Sequence, residues 1–398
     1  MKKAASQCSQ ESVVRILFTC TGVGIFNRGI ESFFREAFDG LRITPGLKTW
    51  LIKGAGPATS QEIPVPCIPR TRASGRLLGR LIRRNAYVVE QLSSFPFVVH
   101  QIRRLRPDVV FYSDSNLGFQ LFRWRKQIGL PFRLLFSNGG PCRPPFDRTD
   151  FVHQVAPYYF DQAVRAGEPP TRHFMVPYGI SVCAPPVVEA CSRRMLRERL
   201  GVPVDRPVVL TVGWISRVHK RMHYLIEELS RLPAPRPFLQ MLGAMDESSP
   251  EIIALAESLL GRSGFSARSV RYDQVPDYYR AADIFALASL QEGFGRVFLE
   301  ALMHGLPVVA HQHPVMEYVL GGQGYLGDLR RSGELAEILA GLLSQSSCEE
   351  RMIRRWKSVR ERFNWPVLAP RYAAMFSAAA GGGSLAATDL WEGASTSK

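Results

Sequence analysis

Acidic residues are scarce in the first half of this 398-residue chain, and long apolar runs are missing throughout. No stretch approaches the ~18 consecutive apolar residues of a membrane-spanning helix. The opening residues, MKKAASQCSQES, carry two lysines with no apolar stretch behind them, so no cleaved signal peptide is expected. Cysteines are few and scattered: Cys8, Cys20, Cys67, Cys142, Cys183, Cys191 and Cys348, none in a C-x-x-C pair. This predicts reduced thiols and excludes a disulfide framework or a zinc cluster. The chain has no D-x-D metal loop; two residues either side of Asp114 stand Tyr112 and Asn116. It shows no internal repeat, and its 33 glycines lack the three-residue period of collagen.

What is present is an ordinary globular balance, 46% apolar and 21% charged, which excludes a mostly disordered chain. Single domains stop growing near ~250–300 residues, so two domains are expected. The net charge is +15 and it is lopsided. Residues 1–185 hold 25 lysines and arginines against 12 acids, while the remainder holds 25 against 23. A one-sided field of this kind points to an anionic partner: lipid headgroups, a phosphorylated substrate or nucleic acid.

Strand and helix patterns alternate along both halves. Val13–Phe18 reads as a strand, Thr21–Gly24 as a glycine turn, and Ile30, Phe33, Phe34, Ala37 and Phe38 as one helical face. Further strands are expected at Trp50–Ile52, Asp108–Tyr112 and Arg133–Phe136. A second series follows the segment Cys183–Pro186, with strands at Val208–Val212, Phe238–Leu242, Ser269–Tyr272, Ile284–Ala288 and Val308–Ala310. Its helices are expected at Met222–Ser230, Pro250–Leu260, Val275–Ala282 and Val297–His304. Alternation of this kind predicts two α/β, doubly wound, mostly parallel sheets. Ligands of such sheets bind outside the carboxyl ends of the strands, so the loops there are where chemistry is sought.

One such loop stands out, Ala288 to Leu302. Gly293 and Gly295 allow close approach of backbone N–H groups, and the helix start that follows offers unpaired donors and a positive dipole end. Glu300 falls inside that helix, placed to accept hydrogen bonds from vicinal sugar hydroxyls. Glu292 lies in the loop, nearer the reacting end of a bound ligand. The plainer alternative makes Glu292 a dipole partner and Glu300 a solvated helix residue. A second loop, Val212-Gly213-Trp214-Ile215-Ser216-Arg217-Val218-His219-Lys220-Arg221, clusters Arg217, Lys220 and Arg221 directly after a strand, suited to a diphosphate.

Five stretches together resemble family 4 glycosyltransferases, retaining enzymes of the GT-B fold. EGFGRVFLEALMHGLPVVA (292–310) is similar to the E-x7-E donor signature, and VGWISRVHKR (212–221) to the phosphate-binding loop. YYRAADIFALAS (278–289) resembles the strand before the glutamate loop, VPYGI (176–180) the interdomain hinge, and FNWPVLAPRYAAMF (363–376) the terminal helix returning to the first domain. The resemblance implies two Rossmann-like domains facing a central cleft. It places an acceptor domain at 1–182, a nucleotide-sugar domain at 183–362 and a return helix at 363–380; residues 381–398 read as a disordered tail. It further implies that Glu300 holds ribose hydroxyls and Glu292 the transferred sugar. Gly293, Phe294 and Gly295 would present N–H groups, Gly213 would open the phosphate loop, and Lys220 would neutralise the departing diphosphate without a metal or other cofactor. The expected activity is retaining transfer of a sugar to a hydroxyl acceptor, lipid-linked or a cell-surface glycan precursor, by a front-face mechanism.

Two departures from the family pattern stand in the sequence. Trp214 occupies the place of an arginine in a loop one residue longer, with Arg217 as a substitute. Where the family often has a histidine near the reacting sugar, this chain has Ser137-Asn138-Gly139-Gly140. Asn138 can bond a sugar hydroxyl but cannot act as a base, and His153 is the candidate to enter the cleft instead. Gly22-Val23-Gly24-Ile25-Phe26-Asn27 lacks the third glycine of a dinucleotide loop. It reads either as an acceptor- or diphosphate-facing loop through Gly24 and Asn27 or as a tight turn. His311 and His313 lack a third metal ligand.

Residues 70–84 contain Arg70, Arg72, Arg76, Arg80, Arg83 and Arg84 and no acid. Positions 76, 80, 83 and 84 are expected on one helical face, with Leu77, Leu78, Leu81 and Ile82 mostly elsewhere. A cationic amphipathic helix suits an anionic membrane surface; no nucleic-acid motif accompanies the charge. The expected location is cytoplasmic, peripheral on the inner membrane face. Two alternatives remain open from sequence: a GT-B nucleotide-sugar epimerase, and a non-catalytic nucleotide-sugar-binding protein.

Overall fold

The computed structural model describes residues 13–381 apart from 71, 187–189 and 347. The tail expected at 381–398 lies, past its first residue, outside the described residues. Contacts divide the chain into two compact units. Among the described residues, unit 1 takes those up to Val155, Tyr159–Gly179 and Trp365–Gly381, and unit 2 takes Ala156–Tyr158 and Ile180–Asn364. The chain thus leaves unit 1 after Gly179 and rejoins it at Trp365, where the sequence reading set 182 and 363.

Unit 1 is built on a parallel sheet of β1 (Val14–Cys20), β2 (Leu47–Lys53), β3 (Glu62–Pro64), β4 (Val109–Tyr112), β5 (Arg133–Ser137), β6 (Phe151–Gln154) and β7 (His173–Met175). The spatial order is β3-β2-β1-β4-β5-β6-β7. β1 pairs with both β2 and β4, Ile16 opposite Thr49 and Val109. Its interior reads as an unbroken apolar run because helices cover both faces. The helices are α1 (Gly29–Leu41), α2 (Ala73–Leu81), α3 (Ala86–Leu105), α4 (Ser115–Arg123), α5 (Arg125–Ile128) and α6 (Pro157–Arg165). On one face Leu17, Ile52, Val110, Leu134 and Val152 pack with Val98 and Ile102 of α3. On the other, Phe18, Phe33, Phe34 and Phe111 form an aromatic cluster that Phe376 joins, 5.8 Å from Phe18 and 5.4 Å from Phe111 between ring centroids.

Unit 2 repeats the plan with β8 (Val208–Val212), β9 (Phe238–Leu242), β10 (Phe265–Arg268), β11 (Ile284–Ala286), β12 (Val308–His311) and β13 (Tyr325–Gly327), in the order β10-β9-β8-β11-β12-β13. Its helices are α7 (Ala190–Leu200), α8 (Met222–Ser230), α9 (Ser249–Leu260), α10 (Val275–Ala281), α11 (Arg296–Met303), α12 (Pro314–Leu320), α13 (Glu334–Leu343) and α14 (Glu349–Phe363). The last helix, α15 (Trp365–Gly381), belongs to unit 1, packing on α1 and β1. Tyr372 donates from its hydroxyl to the Pro177 carbonyl at 3.0 Å.

In each sheet the strand order reverses beside the first strand, between β1 and β4 and between β8 and β11. These reversals are the places where α/β sheets bind ligands. The strand expected at Ser269–Tyr272 is a correction: β10 lies at Phe265–Arg268. It is a half-exposed edge strand, and its thin apolar content let the reading slide onto Val270. The sequence pattern does not predict the short strands β3, β6, β7 and β13. β6 carries His153 and Gln154 into the interior, which hides it from hydropathy. Among the described residues no helix is long and apolar enough to cross a membrane, and no disulfide forms.

Candidate functional site

The loops after β8 and β11 meet at the unit 2 reversal. Gly213 follows β8 directly with a φ of 153°, and Gly243 packs against its carbonyl so closely that a Cβ on Gly243 would lie 1.7 Å from Gly213 O. A Cβ on Gly213 would meet Lys220 Cε at 3.0 Å. The loop is stapled to its neighbour by Ile215 N–H donating to Ala244 O at 2.9 Å. This delivers Lys220 Nζ to Glu292 Oε1 at 2.6 Å, and Ser289 Oγ donates to the same oxygen at 2.6 Å. Both members of the ion pair are partly buried.

Gly295, the residue at the N-cap of α11, lies in the left-handed region, φ 78°, and supplies no side-chain capping hydrogen bond. Phe294 is buried and lies edge-on to Phe363, 5.8 Å between centroids. Glu300, one face further along α11, is nearly buried and accepts from Tyr279 Oη at 3.0 Å on Oε2. Burial and the adjacent carboxylate push the Tyr279 phenol well above its usual range, so it stays a donor. His304 stacks on Tyr279 at 5.3 Å and 18°. The loop thus offers an ammonium, two carboxylates at different depths and an uncapped helix start.

A model of the family described as "Glycosyl transferases group 1" matches residues 192–359. Those residues, under half of the chain, are similar to the glycosyl transferases group 1 family. A D-inositol 3-phosphate glycosyltransferase of Xylanimonas cellulosilytica is 32% identical over 204 residues, 49% of this chain and 48% of that protein. The lipopolysaccharide core biosynthesis glycosyltransferase LpsE of Rhizobium meliloti is 30% identical over 162 residues, 40% of this chain and 46% of its own. The chain therefore spans about half the length of these curated relatives in the matched region. Anabaena Alr3699/HepE, solved in complex with UDP and glucose, superposes with a TM-score of 0.70 at 20% identity, over 92% of this chain and 100% of that one. The fold is that of GT-B glycosyltransferases.

Within unit 2, the expected cluster of three cations divides by role. Lys220 faces Glu292. Arg217 is exposed, and its guanidinium has no hydrogen bond or ion pair among the described residues. Arg221 is a correction: its Nη1 donates to Ala288 O at 3.2 Å and Leu329 O at 2.8 Å, so it ties loops together. His311 Nδ1 accepts from Leu329 N–H and His313 Nδ1 from Val315 N–H, both backbone caps. Among the described residues no group of three or more His, Cys, Asp or Glu is placed for a metal.

In unit 1, Gly24 has a φ of 83°, and a Cβ there would collide with Ala55 O at 2.2 Å, so the β1–α1 loop is a tight turn. Asn27 beside it is exposed. His153 is a correction. It is fully buried in β6, its Nε2 donates to Val176 O at 2.7 Å, and Nδ1 accepts from Ser137 Oγ at 3.1 Å. Burial lowers its pKa to about 4, leaving a neutral core imidazole. Asn138 is likewise buried: Nδ2 donates to Gln154 Oε1 and Cys142 O, and Oδ1 accepts from Cys142 N–H at 2.7 Å. It shapes its own loop. Sequence reasoning missed Ser289, Tyr279 and the tying role of Arg221. Tyr279 lay in a quoted motif, but only the fold shows that its hydroxyl meets Glu300.

Proposed function

We propose that the protein is a retaining glycosyltransferase that moves a sugar from a nucleoside-diphosphate sugar to a hydroxyl acceptor. The observation that carries this is the convergence of Lys220 on Glu292 beside the uncapped start of α11. Glu300 grips the ribose hydroxyls, with Tyr279 orienting its carboxylate. The diphosphate lies along Gly293, Phe294 and Gly295 and draws Lys220 away from Glu292, with Arg217 as a second cation and Gly213 leaving room for the phosphates. The anomeric carbon–oxygen bond breaks with its electrons going to the diphosphate. The acceptor oxygen bonds to the same face, and its proton passes to the departing phosphate oxygen. Pre-placed cations stabilise that charge as it develops. The charge is assigned to side chains, so chelator treatment is expected to leave the rate unchanged.

The acceptor is placed on a lipid-linked or cell-surface glycan precursor, and the enzyme in the cytoplasm at the inner membrane face. The excess of cations in unit 1 and the relationship to a lipopolysaccharide core glycosyltransferase support that placement. Gly24 and Asn27 are the unit 1 residues assigned to the acceptor or diphosphate side.

The test is a thermal-shift screen against UDP-, GDP- and ADP-sugars, followed by transfer assays with the stabilising donor. Glu300→Ala and Lys220→Ala are expected to abolish the shift or weaken it at least tenfold. Unaltered binding and transfer in both variants would remove the proposal. Altered sugar stereochemistry without acceptor would indicate an epimerase, and donor binding without turnover a binding protein.

A further inference from the structure

The helix α2 is folded inside out. Its buried residues are Gly75 and Gly79, one turn apart on the same side. A Cβ at Gly75 would meet Pro69 O at 2.8 Å and one at Gly79 would meet Arg84 O at 2.6 Å, so the helix backbone lies directly on its neighbours. Leu77 and Leu81 point the opposite way, 70% and 79% exposed, with Leu78 and Ile82 also exposed beside them. Arg76 and Arg80 form the flanking row. The expected single face of 76, 80, 83 and 84 is corrected: the helix ends at Leu81, and Arg83 turns left-handed, φ 53°. Arg72, Arg76, Arg80, Arg83 and Arg84 are exposed, and no ion pair among the described residues involves them. From residue 63 to 107 the chain has nine arginines and one acid, Glu90.

Glu90 is already committed. It accepts from Arg70 Nη2 at 2.5 Å and Nε at 3.0 Å, and from Thr21 Oγ1 at 3.2 Å. Arg70 is also held between the rings of Phe26 and Tyr87, 4.3 and 4.1 Å from their centroids. Arg70, three residues ahead of α2, is thereby clamped to the loop after β1, at the carboxyl end of the unit 1 sheet.

We propose that α2 is a membrane-docking helix that lies in the headgroup plane of an anionic bilayer. Leu77 and Leu81 enter the acyl boundary, while the arginine row and Arg83–Arg84 meet lipid phosphates. Apolar side chains held outward and cations with no ion pair among the described residues match a surface that is apolar inside and anionic at its rim. Nucleic acid would use the arginines but leave the leucines in water. The Arg70 clamp sets the docked bilayer beside the β1–α1 loop, so a lipid-borne acceptor reaches unit 1 by lateral diffusion. That last step rests on the glycosyl-transfer reading; the docking does not.

The test is flotation of the full chain with phosphatidylcholine vesicles and with vesicles containing 30% phosphatidylglycerol. Binding to the anionic vesicles alone is expected, weakening with salt. Arg76→Gln/Arg80→Gln should lower partitioning about 25-fold, near fivefold per cation, and Leu77→Glu/Leu81→Glu at least tenfold. The donor-induced thermal shift should be unchanged in both variants, which separates failure of docking from failure of the site. Equal binding of the variants and the parent chain, no binding to anionic vesicles, or a leucine-dependent dimer in solution would overturn the proposal.

Discussion

The two units share one strand order and use its reversal in opposite ways. In unit 1 the reversal between β1 and β4 is stitched shut. Asp114 accepts from Thr21 N–H at 2.9 Å and Thr21 Oγ1 at 3.1 Å on one oxygen, and from Tyr87 Oη at 3.0 Å on the other. That carboxylate is fully buried, and burial raises its pKa. In unit 2 the reversal between β8 and β11 carries a carboxylate whose ion partner sits at its edge, within reach of solvent. The same topology thus yields one architectural acid and one acid open to exchange. A charged side chain at a strand end becomes a working group only where its partners can be displaced.

Three substitutions probe that contrast, in falling order of their effect on stability. Asp114→Ala strands Thr21 N–H and Tyr87 Oη in the interior and should cost about 4 kcal/mol, read from denaturant unfolding. A loss under 1 kcal/mol would mean the unit 1 reversal is open after all. His153 gives the second. Its folded pKa, about 4, lies below the ordinary 6.5. Between those values the unfolded chain binds a proton that the folded imidazole refuses. Stability is therefore full above pH 6.5 and falls as pH drops towards 4, by roughly 3 kcal/mol. His153→Gln should flatten that slope; parallel slopes would place the ring in water. Glu292→Gln is the third, shifting stability by less than about 1 kcal/mol. Its turnover should nevertheless fall about 100-fold, with donor affinity changed only a few-fold. A wild-type rate would make Glu292 as architectural as Asp114.

Legibility in the sequence follows the same division. Glu292, Glu300 and Lys220 could be singled out because each lies in a loop, or in the helix opening from a loop, that follows a strand. The place of His153 could not be read. A histidine in a four-residue strand looks like a loop residue until Ser137 and Val176 are seen to take both its nitrogens. Arg221 was grouped with the phosphate cations because nothing in VHKR says that two distant carbonyls occupy its guanidinium. For α2, periodicity showed an amphipathic pattern, but only packing shows that glycines form the inner face. The parallel, doubly wound character of both sheets was open to expectation from βα alternation. The short polar strands were not, because neighbours across the sheet stabilise them, rather than their own composition.

Arg221 links three segments that are remote in sequence: its own loop, Ala288 before the glutamates, and Leu329 beyond β13. One guanidinium nitrogen therefore serves as a shared tie. Arg221 directly follows Lys220, so the backbone that carries the ammonium is tethered to both the Ala288 carbonyl and the segment past β13.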